Sequence, residues 1–229
     1  MSMRLKFSLN DGLYLKDPQE SALGQRITRE SILLIDELGF ENFTFRKLAE
    51  RIESTEASIY RYFENKYQLL FYLVSWYWEW VNYLIDFNTK NIDDYRTQLK
   101  IIIKTIVSAA EENEANEFIN ESVLHRVVVA EGAKVYHTKM LEQQNKQGLF
   151  INYKNLIHKV VHVIQGVNPM FPYPNALASN LFEMANDHIH FGTHLNSLTN
   201  VSVKPGLYQE VEEMIIYFAF KLLDCLDEA

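Results

Sequence analysis

The side chains with the most distinctive chemistry in this chain lie between residues 44 and 66. Threonine, tyrosine, arginine and lysine recur there at helical spacing, together with the small residues Ala57 and Ser58. Hydroxyl, guanidinium and ammonium groups bind phosphate oxygens, whereas small residues near a helix start let the backbone approach the edges of bases. These residue types therefore indicate recognition of a nucleic acid.

Two short helices are needed to position these side chains. Thr44 and Thr55 each precede an apolar-periodic run, where a threonine hydroxyl accepts a hydrogen bond from a free N–H of the first turn. Only Glu53 and Ser54 separate the two runs, so the connection must be a sharp turn. The pattern predicts a helix-turn-helix unit whose second helix enters the major groove.

The second helix divides into a core side and a DNA side. Ile59 and Phe63 are four residues apart and are expected in the core, while Glu56 and Ala57 are expected at base edges. Phosphate contacts are expected from Thr44, Thr55, Tyr60 and Lys66. The full set of candidate DNA-binding residues is Thr44, Arg46, Lys47, Thr55, Glu56, Ala57, Ser58, Tyr60, Arg61, Tyr62 and Lys66.

Three ordered motifs surround these residues. They are Glu37-Leu38-Gly39-Phe40, Phe43-Thr44-Phe45-Arg46-Lys47-Leu48-Ala49 and Thr55-Glu56-Ala57-Ser58-Ile59-Tyr60-Arg61-Tyr62-Phe63-Glu64-Asn65-Lys66. With them, the segment from about Gln25 to Leu70 resembles the N-terminal domain of the TetR family of bacterial transcriptional regulators. In the turn, Glu53 replaces the glycine usual in that family, and a glutamate is unfavourable wherever φ is positive.

The resemblance implies an all-α fold, with an N-terminal three-helix helix-turn-helix domain and a C-terminal helical domain for ligand binding and dimerisation. The expected domains are an arm at 1–22, the DNA-binding domain at 23–68 and the helical domain at 69–229. It also implies a ligand-responsive repressor that binds a palindromic operator in double-stranded DNA as a homodimer. The alternative is a helical dimeric module for interaction, or for metal or ligand sensing, that does not read DNA.

The low content of glycine and proline favours a helical chain, and the sequence contains no familiar catalytic motif. Gly and Pro together number 13 of 229 residues, and Cys225 is the single cysteine, so an intrachain disulfide is excluded. Neither a phosphate-binding glycine loop nor a nucleophile elbow occurs, so we predict no enzyme activity, catalytic residue or cofactor. We expect a cytoplasmic protein without a membrane partner. The net charge is −8, of which residues 1–70 contribute only −1.

Periodicity predicts the later helices and their breaks. A long fourth helix is expected at about 66–87, and further helices at 93–112, 115–131, 134–147, 149–166, 174–197 and 206–227. The fourth helix carries an aromatic cluster that is either packed core or the lining of a pocket for an apolar or aromatic effector. The candidate effector-binding residues are Trp76, Trp80, Tyr83 and Phe87.

The last helices carry a dimerisation signal and two histidine pairs. Nine of the ten residues at 214–223 are apolar, so this helix must be covered on more than one side. In the TetR family the last two helices form the dimer interface, so the resemblance implies an interface made of about 174–197 and 206–227. His158 and His162, like His190 and His194, have the i,i+4 spacing that places two imidazoles on one helix face. They are weak candidates for metal ligands, and no metal site is predicted from the sequence alone.

Overall fold

A computed structural model describes residues 6–109, 119–204 and 207–224. Cys225 lies outside these described residues, as do the end of the helix expected at 93–112, the start of the one expected at 115–131 and both ends of the one expected at 206–227. The chain is all-α as predicted, with no strand among the described residues. Its helices are α1 Ala22–Leu38, α2 Phe45–Arg51, α3 Glu56–Tyr60, α4 Lys66–Thr89, α5 Tyr95–Ser108, α6 Glu121–Glu131, α7 Ala133–Tyr136, α8 Leu141–Lys146, α9 Ile151–Val167, α10 Pro174–His194 and α11 Gln209–Asp224.

The chain forms two compact units, and the division falls inside α4. The first unit comprises Met1–Glu79 and Glu112–Asn152, and the second comprises Trp80–Glu111 and Tyr153–Ala229. This division differs from the boundary expected at residues 68 and 69. Helical periodicity runs through α4 without interruption, so the sequence offers no signal at the point where packing partners change.

The first unit contains a folded N-terminal segment where the sequence suggested an arm. Phe7 is 8% exposed, Leu13 is fully buried, and the Phe7 ring packs edge-on against Trp76 with centroids 5.0 Å apart. Asn10 and Asp17 cap two short 3-10 helices, Asp11–Leu13 and Pro18–Glu20. Apolar side chains spaced irregularly in such turns do not produce a helical or strand period, which is why periodicity missed this packing.

The first unit also shows where one predicted helix is broken. The expected helix at 134–147 consists of α7 and α8, because the backbone at His137 leaves the helical region (φ −102, ψ 55). Gly148 has a φ of 75, as a helix-ending glycine commonly does, and its N–H donates to the Asn145 carbonyl oxygen at 3.1 Å.

The second unit is built from α5, α9, α10, α11 and the end of α4. One stripe of α11 is buried, consisting of Val211, Ile215, Ala219 and Leu223. Arg96 forms two hydrogen bonds with the Asp224 carboxylate, at 2.9 and 3.0 Å, and thereby connects α5 to the end of α11. None of the described helices has the length and hydropathy required to cross a membrane.

Candidate nucleic-acid interface

The two predicted N-caps position the helix-turn-helix. The Thr44 hydroxyl accepts a hydrogen bond from the Lys47 backbone N–H at 3.2 Å, and Thr55 accepts one from the Ser58 N–H at 3.3 Å. Both threonines have extended backbone conformations, as N-cap residues do. The caps predicted from the sequence are therefore confirmed, and they fix where α2 and α3 begin.

The turn between these helices forces Glu53 into the left-handed region. Its φ is 49, which a glycine would adopt without steric cost. The turn closes through a hydrogen bond of 2.9 Å from the Ser54 N–H to the Ala49 carbonyl oxygen. Ile52 is 2% exposed and anchors the turn to the core. The conflict expected at Glu53 is thus present, and the buried Ile52 side chain and the Ser54–Ala49 hydrogen bond hold the turn in place.

The outer face of α3 is separated from its core face. Ile59 and Phe63 are fully buried, as predicted, whereas Tyr60 is 48% exposed and packs edge-on against Phe45 with centroids 5.0 Å apart. The Phe45 ring therefore limits the directions in which Tyr60 can point. The other exposed candidates on or near this face are Thr44, Arg46, Lys47, Thr55, Ala57 and Arg61, while Glu56 and Ser58 are half-buried.

Tyr62 is absent from this outer face because its side chain turns inward. It is 3% exposed, and its hydroxyl lies 2.8 Å from the Ser21 hydroxyl oxygen. Its carbonyl oxygen accepts a hydrogen bond of 2.7 Å from the Leu15 N–H. This placement corrects the expectation of a DNA contact for Tyr62. Sequence reasoning missed Ser21, although a serine directly before an apolar-periodic helix is a recognisable N-cap signal.

Lys66 is also occupied within the unit. Its ammonium donates to the carbonyl oxygens of Phe40, Glu41 and Phe43 at 2.9, 3.2 and 3.3 Å. The same nitrogen lies 4.7 Å from the centroid of the Phe40 ring. An ammonium has three N–H donors, so these three carbonyls use its full capacity. Lys66 therefore ties the start of α4 to the α1–α2 loop, and a phosphate would have to displace one of these bonds.

Several other cationic side chains of α2 already have a hydrogen-bond or ion-pair partner within the unit. Arg46 lies 3.4 Å from Glu50, and Lys47 donates to the Asn42 carbonyl oxygen at 2.8 Å. Arg51 forms paired hydrogen bonds with Glu37, which hold the pKa of that carboxyl below its ordinary value. Arg61 has no ion-pair partner within the described part of the chain. A guanidinium available to a phosphate is thus placed directly after α3.

Residues 27–73, which contain this entire arrangement, match the family model for bacterial regulatory proteins of the tetR family. The match covers 47 of the 229 residues and agrees with the resemblance carried by the sequence motifs. The family that this model describes consists of regulatory proteins, which agrees with the prediction of a non-enzymatic chain. No curated protein matches the chain in sequence.

Solved structures extend the TetR-like fold over most of the chain. AibR in complex with isovaleryl coenzyme A and operator DNA has a TM-score of 0.58 at 13% identity, covering 83% of this chain and 96% of AibR. The superantigen PfiT has a TM-score of 0.61 at 15% identity, covering 92% and 100%. The ketosteroid transcriptional regulator KstR2 of Mycobacterium tuberculosis has a TM-score of 0.56 at 12% identity, covering 89% and 94%. At these identities the similarity shows the fold alone.

The four aromatic residues of α4 that are candidates for effector binding differ in how far they are exposed to solvent. In the first unit, Trp76 is 1% exposed and contacts Phe7. In the second unit, Trp80 is also 1% exposed and stacks on Tyr83, whose ring stacks in turn on Phe87 with centroids 6.4 Å apart. Phe87 is 66% exposed. The burial of both tryptophans agrees with the packed-core alternative, and Tyr83 and Phe87 remain the accessible members.

The histidine pairs do not assemble a complete metal site. Among the residues that the structure describes, no group of three His, Cys, Asp or Glu side chains is placed to hold an ion. His190 and His194 lie close together, with ring centroids 4.8 Å apart. In the other pair, the His162 ring instead packs edge-on against Tyr95. The structure therefore distinguishes two pairs that the sequence made equivalent.

Proposed function

We propose that this chain is a ligand-responsive transcriptional repressor that binds a palindromic operator in double-stranded DNA as a homodimer. The observation that carries the proposal is the TetR-family helix-turn-helix, with both helices capped and the outer face of α3 exposed. Such a unit places its second helix in the major groove. The proposed place of action is the cytoplasm, where bacterial DNA lies.

The proposed contacts follow from exposure on α3. Ala57 offers a methyl group to a thymine, and Tyr60 and Arg61 offer hydrogen-bond donors to phosphates. Glu56 is half-buried and has an acceptor for the amino group of a cytosine. Because few unpaired cations surround this face, we expect modest affinity and little non-specific binding. The phosphate contacts that do form should make the affinity fall as salt is raised.

The proposed dimer interface is the apolar surface of the second unit. A groove of about 780 Å³ lies between α10 and α11. Its rim includes Tyr173, Phe218 and Leu222, which are 68%, 41% and 51% exposed. Large apolar patches of this kind commonly mark interaction sites. A second copy that covers the groove explains why α11 is apolar nearly all round, and a two-fold axis provides the two recognition helices that a palindrome requires.

The proposed effector is an apolar or aromatic small molecule bound by the helical domain. AibR was solved with isovaleryl coenzyme A and operator DNA, and KstR2 is named as a ketosteroid regulator. Tyr83 and Phe87 are the candidate residues of this chain with exposed ring surface for such a ligand. A ligand that binds the two conformations of the dimer with different affinity would shift the operator-binding equilibrium.

The experiment is a mobility-shift titration of the protein's own promoter region at low and moderate salt. We expect a specific complex, and we expect both Tyr60→Ala and Arg61→Ala to weaken it by about 1–3 kcal/mol in binding free energy. Lys90→Ala is the matched charge control, because Lys90 is exposed in the second unit and should leave binding unchanged. The absence of any shift at low salt would favour the module that does not read DNA.

A further inference from the structure

Two histidines lie side by side at the end of α10. His190 and His194 are exposed, four residues apart, and their ring centroids are separated by 4.8 Å. Residues with this spacing are neighbours on a helix surface, so both imidazoles project from the same flank. Neutral imidazole is the commonest protein ligand of transition metals. The geometry is therefore that of a chelating pair.

We propose that His190 and His194 together bind one divalent transition-metal ion of the Zn²⁺, Ni²⁺ or Cu²⁺ type. Imidazole nitrogen suits these ions, whereas Ca²⁺ and Mg²⁺ prefer oxygen ligands. The described residues hold no group of three ligands, so two nitrogens come from the protein and water completes the coordination. This activity goes beyond the proposed repressor function and does not depend on DNA binding.

The surroundings of the pair favour a cation. His194 is the last residue of α10, where unpaired carbonyl groups place the negative end of the helix dipole. Asp187 is exposed three residues before His190, and that spacing places its carboxylate on the same flank. Both features lower the free energy of a bound cation without acting as ligands themselves.

The remaining described histidines of the second unit serve as internal comparisons. His188 is adjacent in sequence, but its Nδ1 lies 2.8 Å from the Thr199 hydroxyl oxygen. His158 and His162 have the same spacing as the proposed pair, but the His162 ring packs edge-on against Tyr95 with centroids 5.8 Å apart, whereas the His190 ring contacts His194 as well as Phe191. The chain thus contains a matched control pair with equal spacing and a different environment.

The test is calorimetric titration of ZnCl₂ into the untagged full-length chain at pH 7.5. We expect one ion per chain, with at least about a tenfold loss of affinity in both His190→Ala and His194→Ala. Loss of even an outer-shell partner costs about 10–100-fold, and these residues are direct ligands. His158→Ala and Cys225→Ser should bind as wild type does.

The outcomes separate this site from the alternatives. Unchanged affinity in His190→Ala would overturn the proposal, as would a tenfold loss in His158→Ala or Cys225→Ser. Both histidines are exposed, and circular dichroism of the variants verifies that their fold is retained.

Discussion

The buried Glu121 carboxyl makes the stability of the first unit depend on pH. Glu121 opens α6 and is fully buried, and among the residues that the structure describes neither of its carboxyl oxygens has a hydrogen-bond partner. Burial raises the pKa of this carboxyl to about 7, from an ordinary value of 4.5. Between these values the unfolded chain loses the proton while the folded chain keeps it. The contribution of Glu121 to stability is therefore greatest below about pH 4.5, falls as the pH rises, and reaches its lower limit above about pH 7.

The size of this effect follows from the pKa difference. Each pKa unit corresponds to about 1.4 kcal/mol, so the difference between about 7 and 4.5 sets an upper limit of about 3 kcal/mol. Water that enters around the ionised carboxylate reduces the penalty, and we expect about 1–3 kcal/mol at pH 8. Glutamine has nearly the same shape and no charge, so Glu121→Gln should remove the pH-dependent part and leave the packing in place.

The assay is urea unfolding of the wild type and Glu121→Gln at pH 5 and pH 8. The free energy of unfolding of the wild type should fall by about 1–3 kcal/mol more than that of Glu121→Gln over this interval. All other titrating groups are shared by the two proteins and cancel in the comparison. Glu142→Gln, which alters an exposed carboxylate on α8, should behave as the wild type does. Equal pH dependence in wild type and Glu121→Gln would refute the reasoning.

Three further changes test the helix-turn-helix and the dimer. Glu53→Gly relieves the positive φ of 49 and should raise the free energy of unfolding by about 1 kcal/mol, measured by urea denaturation; a loss of stability would contradict the strain. Thr55→Ala removes the cap at the Ser58 N–H and should cost about 1 kcal/mol while weakening operator binding, and unchanged values in both assays would count against the cap. Phe218→Glu places a charge on the rim of the α10–α11 groove and should convert dimer to monomer in sedimentation velocity; a dimer that persists would exclude this interface.

Local interactions explain which parts of the interface were predictable. Each threonine cap joins residues three positions apart, and the preference for threonine at such a position comes from the first turn of its own helix. Helical periodicity likewise explains why Ile59 is buried while its neighbour Tyr60 is exposed. For the same reason the positive φ at Glu53 was foreseeable, since the two-residue connection leaves few backbone conformations.

Contacts between distant residues explain what was missed. Tyr62 pairs with Ser21, 41 positions away, and Lys66 donates to Phe40, 26 positions away. The local sequence around Tyr62 and Lys66 is the same whether the side chain contacts a phosphate or another part of the chain. The N-terminal segment belongs to this class as well, because Phe7 acquires its partner Trp76 only in the folded unit.

The sequence by itself determined the all-α fold, the position and caps of the helix-turn-helix and its resemblance to the TetR family, since these depend on periodicity and on contacts within one or two turns. Only the tertiary structure decided which candidate side chains are free to bind a partner. Tyr62 and Lys66 bond to other parts of the chain, whereas Tyr60 and Arg61 are exposed. The rings of His190 and His194 are in contact, while the His162 ring packs against Tyr95. The physical reason is that exposure and pairing depend on neighbours brought together by folding, which no local pattern encodes.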